Sequence, residues 1–176
     1  MAREKYGYAE SSTLRATVAG PIRSAVNPDM ALENGMHLTI GQLTDITNSE
    51  EIYDVALPTA KDAIVLVLSA LTAYDTTTTL GQHEMYLRKE AGFPARVYFI
   101  YEADRYKVAD YCVTPIAEVP VAKNLVVVDT ETGFLKEIAA GSDIADYGYV
   151  GEIEGIEYKS NLTLVKIRVL KNETVA

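Results

Sequence analysis

From residue 33 onward, apolar and polar positions alternate in short runs separated by turn-forming residues. Met36-His37-Leu38-Thr39-Ile40 places Met36, Leu38 and Ile40 on one face. Ile52–Leu57 follows and stops at Pro58. Ala63–Leu68 is continuously apolar, the pattern of a strand buried on both faces. In Arg96–Tyr101, Val97, Phe99 and Tyr101 oppose Tyr98 and Ile100. Tyr106–Val113 reads as one further strand, and Leu125–Val128 with Phe134–Ile138 as a hairpin around Thr130–Gly133. Tyr149–Tyr158 and Leu162–Leu170 close the series, the latter setting Leu164, Lys166, Arg168 and Leu170 opposite Val165, Ile167 and Val169. About ten short strands at this spacing predict a mainly β protein, a compact barrel or sandwich. Only Thr59–Asp62 and Ile138–Ala145 have room for a helical turn or two, and no internal repeat is visible.

Residues 1–32 follow no such period. Gly20-Pro21 and Asn27-Pro28-Asp29 are turn signals, and Ser11-Ser12-Thr13 is polar. Yet Tyr6, Tyr8, Leu14, Val18, Ile22 and Val26 are spaced along the segment, too many apolar groups for a merely solvated tail. The expectation is an extended N-terminal arm (1–32) ahead of a β-rich domain (33–176), the arm lying against its own body or against a partner.

Charge sharpens this division. Residues 1–35 carry four basic and four acidic side chains, so the formal net charge of −9 resides on the remainder. A body this acidic repels phosphates and anionic lipid headgroups, and neither nucleic acid nor membrane is an expected partner. No stretch approaches the ~18 apolar residues of a spanning helix. The polar start, Met1-Ala2-Arg3-Glu4-Lys5, is unlike a signal peptide, so the chain is expected to be made and kept in the cytoplasm until lysis, and the sequons at Asn161 and Asn172 to be accidental. Cys112 stands alone, which excludes an internal disulfide and a cysteine-based zinc site and suggests a small core residue on a strand. Twelve tyrosines, three phenylalanines and no tryptophan suit half-buried strands and interfaces.

Candidate chemistry is sparse. His83-Glu84 opens like a zinc-protease pattern, but the second histidine position holds Leu87. Phosphate-cradling glycine runs and a G-x-S-x-G elbow are missing, and His37 and His83 are far apart in the chain. Glu152 and Glu154 fall on one strand face beside Glu157, an arrangement that serves a cation or an acid–base pair but more commonly forms a solvated strand face. The expectation is no catalytic residue, no metal and no cofactor.

Several segments, in order, resemble the phage capsid decoration (head cement) proteins. They are Glu33-Asn34-Gly35 before a strand, Ile52–Thr59 ending a strand at Pro58, and Tyr86–Tyr98 with its Glu90-Ala91-Gly92 turn followed by Ala95-Arg96. Asn124–Lys136, Tyr149–Glu154 and Leu164–Val169 continue the series. The likeness covers roughly residues 33–171. Where that family carries a Gly-Asp turn after the strand at 96–101, this chain has Glu102-Ala103-Asp104-Arg105, and residues 1–32 have no counterpart.

The resemblance implies a non-enzymatic structural protein on the capsid outer surface of the virion. It would bind the major capsid protein of the assembled shell, with neighbouring copies of itself as a further partner, and stabilise the shell. The arm would supply the contact through Tyr6, Tyr8, Leu14, Arg15, Ile22 and Arg23. The alternative is a receptor- or glycan-binding β module of a phage fibre or baseplate.

Overall fold

The computed structural model describes residues 5–44, 51–69, 88–159 and 162–175. His83, Glu84, Leu87 and Asn161, named above, lie outside them. Twelve strands occur among the described residues: β1 (Ala9–Thr13), β2 (Ile22–Val26), β3 (His37–Leu43), β4 (Ile52–Ala56), β5 (Val65–Val67), β6 (Ala95–Phe99), β7 (Arg105–Ala109), β8 (Val113–Thr114), β9 (Leu125–Val128), β10 (Leu135–Ile138), β11 (Tyr149–Lys159) and β12 (Leu162–Asn172). They form a closed five-stranded barrel, β2-β4-β3-β5-β6, and a seven-stranded sheet, β1-β7-β12-β11-β9-β10-β8. The fold is thus mainly β, as the alternation predicts.

The barrel wall explains why β5 reads as apolar on both faces. Val65 and Val67 point into the barrel core with Met36, Leu38, Val55 and Val97. Leu66 points the other way, into a second core shared with the seven-stranded sheet. The same alternation splits β6, with Val97 and Phe99 toward the barrel and Tyr98 and Ile100 toward the sheet. One wall therefore serves two cores. At the far end of the chain Asn172 locks the units together: its amide donates to the Ile64 and Ile100 carbonyls and accepts from the Ile64 N–H. The sequon at Asn172 is thus a structural clamp.

Residues 5–32 do not extend away from the body. β1 pairs antiparallel with β7, and β2 closes the barrel between β4 and β6. The spaced apolar residues supply the reason, because Leu14 and Ala25 each enter a core. The segment contributes one strand to each β unit, so of the two dispositions considered, the body is the one it adopts.

Three further expectations change. Tyr106–Val113 is not one strand. After β7 the chain turns through a short 3-10 segment, Asp110–Cys112, where Asp110 accepts the Tyr111 N–H, and β8 then joins the opposite edge of the same sheet beside β10. Cys112 is buried within that turn rather than on a strand, and burial pushes its thiol up to about 12. Neither Thr59–Asp62 nor Ile138–Ala145 is helical, and among the described residues the short helical turns fall at Arg15–Thr17 and Asp110–Cys112. The β9–β10 hairpin forms as its pattern predicts, and the long strands β11 and β12 pair with each other antiparallel. Gly133 ends the first turn at φ +74°, a left-handed conformation that suits glycine.

Candidate interaction surface

The six arm residues meet different fates. Leu14 is fully buried and has no surface to offer. Tyr6 is half-buried beneath the Arg88 guanidinium, 4.7 Å from its ring centroid, and Tyr8 donates to Glu10 at 2.7 Å. Arg15 donates to the Glu102 carbonyl and lies over the Tyr101 ring. Arg23 lies over the Tyr53 ring, and Ile22 remains partly exposed beside it. The arm groups thus chiefly satisfy their own body; Arg15 and Ile22 are exposed, and Tyr6, Tyr8 and Arg23 are half-buried.

The glutamate cluster on β11 is held by cations. In register, Arg105 of β7 faces Arg168 of β12, and Lys107 faces Lys166. Like charges directly opposite one another are unfavourable. Each pair is bridged by a glutamate from β11. Glu154 lies 2.9 Å from Arg105 and 3.7 Å from Arg168, and Glu157 lies 2.9 Å from Lys107 and 3.0 Å from Lys166. Glu152 also pairs with Arg168, and Glu10 of β1 with Lys159.

A register shift between Ile153 and Gly155 makes this possible. The extra residue reverses the alternation, so Glu157 joins Glu152 and Glu154 on the outer face despite the odd spacing from Glu154. Hydrogen bonds from Lys107 and Lys166 hold the Glu157 carboxyl at about 2. These carboxylates are committed to neutralising paired cations. Among the described residues no group of three or more histidine, cysteine or acidic side chains could hold a metal ion.

Between sheet and barrel lies a buried polar chain. His37 Nε2 is 2.6 Å from the Tyr106 hydroxyl, which in turn bonds the Tyr149 hydroxyl. All three side chains are fully buried, and His37 Nδ1 makes no hydrogen bond. Burial drives the His37 pKa down to about 3, against a smaller opposing pull from the Gly133 and Gly35 backbone. The ring is therefore neutral, and the chain reads as a structural tie between the two β units.

The most distinctive surface is the loop that Pro115 and Pro120 bound. Ile116, Val119 and Val121 are 59%, 61% and 48% exposed. Beneath them Glu137 of β10 is only 2% exposed. Its carboxylate accepts the Ile116 N–H at 3.0 Å, the Val121 N–H at 2.8 Å and the Asn124 side-chain amide at 2.7 Å. One carboxylate thus staples both ends of the loop, and the aliphatic side chains between are held outward. Beside the loop is a depression of about 350 Å³ between Tyr111, Val113 and Val119, with Asp110 and Glu118 among its lining residues.

Sequence reasoning missed Glu137, although a signal was present. Leu135 and Glu137 share one face of β10 while Lys136 takes the other, so the acid sits at a position of buried parity. Comparisons with known protein families, with curated proteins and with solved structures give no match to this chain.

Proposed function

We propose that this chain is a structural, non-enzymatic protein that binds the outer surface of an assembled phage capsid and stabilises it. The observation that carries a binding role is the stapled loop 115–121. Three exposed aliphatic side chains in seven residues, fixed from below by a buried carboxylate, form an apolar surface that needs little further ordering on contact. The ordered sequence resemblance to decoration proteins supplies the class of partner. The physics of the role is linkage. A ligand that engages only the assembled lattice stabilises the lattice over free subunits, and a modest contact repeated across many sites suffices.

The test is co-sedimentation of the purified chain with mature phage shells and with unassembled major capsid protein. The chain should pellet with shells, and free subunits should not retain it. Equal retention by both, or by neither, overturns the reading.

A further inference from the structure

We infer that the loop 115–121 and the depression beside it are the contact surface, and that they receive an apolar segment bearing a lysine or arginine on a different protein. This inference rests on the capsid reading and names the chemistry of the partner at that site. The apolar half of the argument is the exposure of Ile116, Val119 and Val121 on a backbone fixed at both ends by Glu137.

The electrostatic half is charge complementarity. The charged residues lining the depression are Asp110 and Glu118, and no lysine or arginine occurs from Val108 to Ala122. Tyr111, at the edge, already accepts the Lys5 ammonium over its ring at 5.6 Å, so this wall suits a cation. A second copy fits poorly. Two such loops facing across a two-fold axis would set Asp110 and Glu118 against their equivalents, on bodies that each carry −9.

Four variants test this in the co-sedimentation assay, with thermal unfolding to verify that each is folded. Ile116→Asp and Val119→Asp, both at exposed side chains, should each weaken shell binding by about tenfold or more. Glu118→Lys should weaken it several-fold, and added salt should weaken wild-type binding more than that of Glu118→Lys. Tyr158→Ser, on an exposed residue of β11, should bind as wild type. Wild-type binding by both aspartate variants would overturn the site, and tighter binding by Glu118→Lys would overturn a basic partner. Light scattering that shows a wild-type oligomer dissolved by Val119→Asp would make the occupant a second copy and overturn the inference. If the wild-type chain itself fails to pellet, the capsid reading falls, and this inference with it.

Discussion

On its inner face the seven-stranded sheet turns Tyr106, Tyr149, Ile153 and Ile167 against the barrel, where His37 completes a neutral hydrogen-bonded chain. On its outer face the same strands carry Arg105, Lys107, Glu152, Glu154, Glu157, Lys166 and Arg168 in bridged ion pairs. The polar groups of the inner face are few, uncharged and inaccessible to water. Those of the outer face are many, fully charged and wet. In a low-dielectric interior an unpartnered polar atom is costly, whereas an exposed ion pair is screened and weak. The two faces should therefore respond to mutation on different scales, and Glu137, a carboxylate on β10 near the edge of the same sheet yet buried like the inner face, should behave as an inner residue.

The largest effect is expected inside. Tyr106→Ala removes a fully buried ring and leaves His37 and Tyr149 without their shared partner. It should cost about 3–5 kcal/mol, read from the urea unfolding midpoint. A loss below about 1 kcal/mol would mean that the sheet and barrel do not depend on this contact. Next comes Glu137→Ala, which strips three donors of their acceptor. About 2–4 kcal/mol is expected, together with loss of protection of the Ile116 and Val121 amides in hydrogen exchange. Unchanged exchange at those two amides would show that the loop holds its shape without the staple.

These residues also mark how far the sequence could be read. The strands of the sheet hairpins, the two-faced character of β5 and the split of β6 follow from alternation, because alternation reports which positions are buried. What alternation cannot report is the identity of the covering layer. His37 sits opposite Met36 and Leu38, a position that reads as solvent-facing in a two-layer fold. It is buried because the barrel wall carries a second sheet on its outside. The first 32 residues read as an arm for a related reason. β1 and β2 each consist of five residues with no clear alternation, and their partners β7 and β6 lie far along the chain. Pairings between such distant segments leave little trace in local sequence. Of the loop 115–121, only the proline boundaries are legible in the sequence, since its shape depends on a carboxylate about twenty residues away.

A subtler difference between the faces is their response to acid. His37 is neutral in the folded protein down to about pH 3, while in the unfolded chain it titrates near 6.5. Between these values the unfolded state binds the extra proton, so stability is full above 6.5 and falls as the pH is lowered toward 3. The slope is at most about 1.4 kcal/mol per pH unit. Urea unfolding at pH 7, 6 and 5 should show this erosion in the wild type, before most carboxylates titrate, and its absence in His37→Gln. An equal slope in both would place the titrating group elsewhere.

The smallest effects belong outside. Glu154→Gln removes one bridge between Arg105 and Arg168, but Glu152 still pairs with Arg168 and water reaches both guanidinium groups. The thermal midpoint should fall by no more than about 2–4 °C, and the difference from wild type should shrink in high salt. Glu157→Gln leaves Lys107 and Lys166 opposite each other with no carboxylate between them, so its cost should grow at low salt, where their repulsion is unscreened. The depressed Glu157 pKa adds a pH signature. Its contribution is complete above the ordinary carboxyl value of 4.5 and disappears as the pH falls through about 2. Wild type and Glu157→Gln should therefore differ at neutral pH and converge in strong acid. Should they differ by the same amount at pH 2 and pH 7, the role of Glu157 is not charge neutralisation, and the outer face is held by packing of the side-chain stems.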